Sequence, residues 1–200
     1  MEVLKELMTK RIAKDWVNAY FEHGVDVSNR RIFLDDEISD CSISNVIKGI
    51  YLMEGTATKQ PVSLYMSSFG GDMYEMFALY DILRTVECEI HTFAYGKCMS
   101  ATPLLLACGE IGHRWCSPNC WFMIHDSWGF AAGSTQRVVA EVDHWKDMNN
   151  KWAELLGKET KKAKKFWIDK CTLPKDYFFN SDKAIAWGVA DHIWDQKEGE

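Results

Sequence analysis

Along the first thirty residues the apolar positions Leu4, Leu7, Met8, Ile12, Trp16, Val17 and Tyr20 recur at steps of three and four, which places them on one stripe of a helix. His23-Gly24 ends that pattern, so residues 1–30 read as an N-terminal helical extension. From Arg31 the rhythm changes. Arg31–Leu34 reads as a short strand, and Ile43, Val46, Ile47, Ile50 and Tyr51 then follow at helical spacing within Asp40–Glu54. Pro61–Ser67 alternates Val62, Leu64 and Met66 with polar neighbours, the period of a strand. Gly70-Gly71 breaks it, and Asp72–Thr85 carries Met73, Met76, Phe77, Tyr80 and Leu83 on one helical side.

The unit then repeats. Glu89–Tyr95 reads as a strand, Gly96 as a break and Ser100–Cys108 as an apolar helix. Arg114–Cys116 and Trp121–His125 are two further strands around the turn Ser117-Pro118-Asn119. Ser134 suits the N-cap of a long helix with Val138, Val142, Trp145, Met148, Trp152 and Leu155 as its stripe. Beyond Pro174, Asp182–Trp187 is a short helix capped by Gly188, and Val189–Ile193 is a last strand. Strands alternating with helices imply an α/β fold around a largely parallel sheet. No linker divides it, so residues 31–200 form one domain.

The 200 residues are 47% hydrophobic and 26% charged, values of a globular protein rather than a disordered or fibrous one. No apolar run reaches the roughly 20 residues of a membrane span, and the charges mixed into Met1–Trp16 argue against a signal peptide. A cytoplasmic location without membrane contact is expected. The net charge is −6, and the one basic cluster, Lys158–Lys165, is interrupted by Glu159 and lacks interleaved aromatics. It reads as a solvated face, which excludes a nucleic-acid partner. Most of the seven cysteines lie in apolar stretches as small hydrophobes. Cys116 and Cys120 lack a second ligand pair at finger distance, so neither a metal nor any other cofactor is expected.

Each glycine break falls at the carboxyl end of a strand, where α/β proteins place reactive groups. Ser67-Ser-Phe-Gly-Gly-Asp72 is not a phosphate loop, for it lacks both Gly-Lys-Ser/Thr and G-x-G-x-x-G. In Gly96-Lys-Cys-Met-Ser100-Ala101 the serine is either an N-cap or a nucleophile. A nucleophile needs a base, and of six histidines only His125 ends an apolar strand. A carboxylate to hold that imidazole is offered by Asp126 or Asp176. Adjacent strand residues face opposite ways, which disfavours Asp126. By residues alone the chain reads as a serine hydrolase without the G-x-S-x-G elbow.

The ordered set Ser67-Ser-Phe-Gly-Gly, Gly96-x-x-x-Ser100, Arg114-x-Cys-x-Pro-Asn119, Met123-Ile-His125 and Asp176-Tyr-Phe-Phe leading to Ala184-Ile-Ala-Trp-Gly-Val-Ala-Asp191 resembles the Clp protease proteolytic subunit family over about residues 29–194. The resemblance implies a ClpP/crotonase-like α/β fold of repeated ββα units, with residues 31–200 as the peptidase domain. Its long protruding handle helix corresponds to Ser134–Gly157, with Trp145 and Trp152 facing partner helices. It implies Ser100 as nucleophile, His125 as general base and Asp176 as triad acid, with the amides of Gly71 and Ala101 as an oxyanion hole. It implies peptide or unfolded-protein substrates, homo-oligomeric stacked rings (a tetradecamer) and an AAA+ unfoldase as candidate partner. Two rivals share its features: a catalytically silent ring or scaffold subunit, and a crotonase-type acyl-CoA enzyme. The chain departs from the family pattern at Phe69 (proline in the motif), at Ala101-Thr102-Pro103 and at Asp126-Ser127 (Gln-Pro). The glycine-rich strand that lines the family's substrate groove shrinks to Gly129–Gly133, and residues 1–30 do not match the family's axial loops.

Overall fold

The computed structural model describes residues 15–57 and 59–194; the helical stripe read at Leu4–Ile12 lies outside them. A helix at 15–23 (α1) ends where the Gly24 amide donates to the Tyr20 carbonyl at 3.1 Å. The chain then enters the sheet at β1 (Val25–Asp26), within the stretch read as the N-terminal helical extension but past the His23-Gly24 end of its pattern. There follow β2 (Arg31–Leu34), α2 (Asp40–Thr56), β3 (Val62–Ser68), α3 (Met73–Thr85), β4 (Ile90–Met99) and α4 (Thr102–Ala107). The remainder is β5 (Arg114–Cys116), β6 (Trp121–Ile124), α5 (Thr135–Glu159), α6 (Lys164–Cys171), β7 (Tyr177–Asn180), α7 (Ser181–Trp187) and β8 (His192–Ile193).

The sheet runs β1-β2-β3-β4-β5-β8, with β2 to β8 on that path parallel and β1 antiparallel. Alternation does what the sequence implies. In β3, Val62, Leu64, Met66 and Ser68 are buried while Ser63, Tyr65 and Ser67 are half-buried on the other face. Helix starts follow their caps: Ser39 forms a reciprocal capping box with Ser42, and Asp72 and Ser134 accept amides of the first turns of α3 and α5. Full burial of a side chain such as Leu64 or Met76 contributes about 1.5–3 kcal/mol.

Three local expectations need correction. Gly96 does not end β4; at φ 64° it bends the strand, and the register against β3 shifts between Met66 and Ser68. The bend lets one strand serve two partners: Thr92–Ala94 pair with β5, and Lys97–Met99 pair with β6. The lysine cluster does present a solvated face, for Lys164 and Lys165 are exposed where they open α6, and the same helix turns the fully buried Trp167 inward. α6 packs back on α5. For that reason Trp152 lies 4% exposed within its own subunit, edge-on to Trp167 at 6.4 Å, instead of facing a partner helix, and Trp145 is half-buried over Gly129. Finally, Gly129–Gly133 is irregular, not a strand.

The observed α5 spans 25 residues, about 37 Å at 1.5 Å per residue. Its buried residues, Asn149, Trp152, Ala153 and Leu156, all belong to its second half. That end is tied down by Glu159, which accepts from the Tyr80 hydroxyl and the Arg84 guanidinium at 2.6 Å each. Burial, reinforced by the neighbouring carboxylate, pushes the Tyr80 hydroxyl well up.

Candidate active site

The carboxyl ends of β3, β4 and β6 converge on one open cavity of about 1470 Å³. The β3 end is held to the segment before α2: Ile38 N donates to Gly70 O and Asp72 N to Ile38 O, both at 2.8 Å. The Ser68 hydroxyl donates to the Asp36 carbonyl at 2.6 Å. Gly70 has φ 94°, and a Cβ there would sit 2.5 Å from Ser100 Cβ; one at Gly71 would sit 2.2 Å from Ile38 O. Only glycine permits this approach.

Ser100 follows β4 directly and has φ 57°; with Arg30 it is one of two non-glycine residues at positive φ among those described. Such backbone costs about 1–3 kcal/mol and persists where surroundings over-determine it. Here they do. The Ser100 amide donates to the Met123 carbonyl at 2.7 Å, and Gly70 closes on its Cβ. The parallel register Met99↔Met123 brings the ends of β4 and β6 level, so Ser100 and His125 emerge side by side. Ser100 Oγ lies 2.8 Å from His125 Nε2.

Asp176 arrives by a second register. β7 runs antiparallel to β6 and pairs Tyr177, the residue after Asp176, with Ile124, the residue before His125. Asp176 is exposed and lines the same cavity, but among the described residues no hydrogen bond or ion pair joins it to His125. Ser100 and His125 are therefore brought together, and Asp176 shares their cavity without being joined to them. The amides of Gly71 and Ala101 have no acceptor among the described residues. Asp126 is turned to α5, where the Asn149 side-chain amide donates to its carboxylate.

Asn149 escaped the sequence reading. It is 7% exposed and accepts from both the amide (3.2 Å) and the hydroxyl (2.7 Å) of Ser127, so it fixes the two residues after His125. The available signal was a polar residue on the apolar stripe between Trp145 and Trp152. The cavity lining counts eight carboxylate residues against one lysine, Lys97, which stacks over Phe69 at 4.7 Å.

Sequence comparison decides the family: the profile described as Clp protease matches residues 19–197. The chain belongs to the Clp protease family. A relative, the ATP-dependent Clp protease proteolytic subunit 3 of Synechococcus sp. (strain CC9902), is 29% identical over 186 residues, covering 89% of this chain and 87% of the relative. Membership supports a serine peptidase at family level. The Clp protease fold also gives the cysteines their setting. Burial pushes the thiols of Cys116 and Cys171 up to about 11 and those of Cys108 and Cys120 up to about 12. Cys98, wholly buried beside Cys120 and Cys116, is raised well above the usual range. These protonated thiols are core packing, and Cys41 alone is exposed. Among the described residues no helix is long and apolar enough to cross a membrane.

Proposed function

We propose that this chain is the peptidase subunit of a self-compartmentalised serine protease acting on peptides or unfolded polypeptides. The observation that carries the reading is the 2.8 Å contact between Ser100 Oγ and His125 Nε2, made by a serine in strained backbone. Ser100 Oγ attacks the peptide carbonyl carbon while His125 Nε2 takes its proton. The developing oxyanion accepts hydrogen bonds from the Gly71 and Ala101 amides, donors without an acceptor among the described residues. His125 returns the proton to the leaving amine, and the C–N bond breaks to leave an acyl-enzyme. Water, deprotonated by the same imidazole, releases the acid and regenerates Ser100. Asp176, which lines the same cavity, serves as the third member once its carboxylate closes on His125 Nδ1. The exposed first half of α5 is the surface offered to neighbouring subunits, in keeping with stacked rings, and the peptidase step itself consumes no ATP. An AAA+ unfoldase is the partner that such a ring would require for folded substrates.

A fluorophosphonate probe tests the nucleophile. The wild-type assembly should be labelled, Ser100→Ala should not, and Asp176→Asn should be labelled at least about 100-fold more slowly. Labelling of Ser100→Ala would refute the assignment. The absence of an Asp176–His125 bond favours one second reading, a ring subunit without turnover. That reading predicts no labelling of the wild type in a particle of full ring mass.

A further inference from the structure

Far along β4 from Ser100, at its opposite end, three metal-ligating side chains meet. Glu89 and His91 are two apart on extended chain, so they project to one face, opposite the face that buries Ile90, Thr92 and Ala94. His113 directly precedes β5, and its carbonyl accepts the Thr92 amide at 3.0 Å, which seats it beside His91. The two imidazoles stack with centroids 4.0 Å apart and planes within 3°. Glu89 Oε2 lies 3.3 Å from His91 Nε2. One ligand atom from each of the three residues, two imidazole nitrogens and a carboxylate oxygen, all fall within 4.8 Å of one another.

We propose that Glu89, His91 and His113 form a surface site for a divalent transition-metal ion of the zinc class, with water completing the shell. Two nitrogens and one carboxylate suit Zn²⁺, Co²⁺, Ni²⁺ or Cu²⁺ and disfavour Mg²⁺ and Ca²⁺, which take oxygen. Ligand atoms at about 2.0–2.1 Å from zinc stand roughly 3.4 Å apart in a tetrahedron, so the set contracts by about an ångström on binding. The rings open from cofacial to converging by rotation about χ2, the broad and soft torsion of histidine. Entry is unobstructed, for the Glu89 side chain is 59% exposed. A bound ion would tie the start of β4 to the approach of β5 and stabilise the native chain by mass action.

The test uses the full untagged chain, stripped with EDTA and dialysed, titrated with Co²⁺ and followed by visible absorption and calorimetry. One ion per chain should bind with nitrogen/oxygen spectra and no thiolate band. Loss of an outer-shell partner already costs about 10–100-fold in metal affinity, so His91→Ala and His113→Ala should each weaken binding by at least that. Zn²⁺ should raise the melting temperature of the wild type and of His23→Asn/His144→Asn, and leave that of His91→Asn/His113→Asn unmoved. Glu89→Gln, an exposed change outside any strand, should also weaken binding and serves if a histidine variant fails to fold. Sub-stoichiometric binding, a thiolate band, or affinity unchanged in these variants would overturn the site.

Discussion

Replacement of Gly70 by alanine separates two energies that the site combines. At φ 94° any L side chain is strained by about 1–2 kcal/mol. The new Cβ would also lie 2.5 Å from Ser100 Cβ, 2.8 Å from Met99 O and 3.0 Å from Ala101 N. All three are rigid neighbours on the β4–α4 turn, and overpacking of this kind adds about 1–3 kcal/mol. Gly112 supplies the control, since it has φ 88° but nothing within 4 Å of its would-be Cβ. Gly112→Ala should therefore cost only the strain, about 1–2 kcal/mol, and Gly70→Ala about 2–5 kcal/mol. Restoring an ordinary contact requires Ser100 to retreat by roughly an ångström, a misplacement worth on the order of 100-fold in rate. Urea unfolding at one fixed chain concentration reads the stabilities, and the second-order rate of fluorophosphonate labelling reads the nucleophile. Equal destabilisation of the two variants, with Gly70→Ala labelled at the wild-type rate, would refute the reasoning.

Other expectations concern the scaffold and the cavity walls. Arg114, 4% exposed, grips Asp191 through two bonds of 2.8 and 2.5 Å and also donates to the Ala107 and Glu159 carbonyls. Asp191→Ala should cost about 3–5 kcal/mol because it strands a buried cation, whereas a joint apolar replacement of both should cost far less. Burial alone would lift the Asp191 carboxyl, but the Arg114 fork and the Gly112 amide outweigh it and hold the group below its usual range. The pair's stabilisation is thus complete above about pH 4 and fades as pH falls through the lowered value, so the Asp191→Ala deficit measured by denaturation should shrink in acid. Iodoacetamide at pH 8 should modify Cys41 in the native chain and spare Cys98, Cys108, Cys116, Cys120 and Cys171 until urea exposes them; fast labelling of a second native thiol would contradict their burial. The acid-rich cavity should favour lysine-bearing over glutamate-bearing fluorogenic peptides at low salt, with the preference fading at high ionic strength; a salt-independent ratio would count against the charge argument.

The alternation of strand and helix was legible because burial imposes period 2 on β3 and period 3.6 on α2 and α3. Ser100 and His125 were legible as strand ends. What failed did so for want of long-range information. Gly96 reads the same in sequence whether it stops a strand or bends it, and only the pairing of β4 with both β5 and β6 distinguishes the two. β7 hid because Tyr177-Phe178-Phe179 lacks alternation, and α6 because its lysines mask Trp167. No local pattern relates His91 to His113, which become neighbours through strand pairing. Asn149 looked like one more polar residue of a long helix until its partners at 126 and 127 were in place.

The first half of α5 also bears on how the chain folds. Its buried residues begin only at Asn149, so the preceding turns draw little from their own core, and short isolated helices are marginal in water. In the stacked rings proposed above, helicity there becomes a function of chain concentration: on dilution the circular dichroism of α5 should melt before the sheet loosens, and crowding by like chains should restore it.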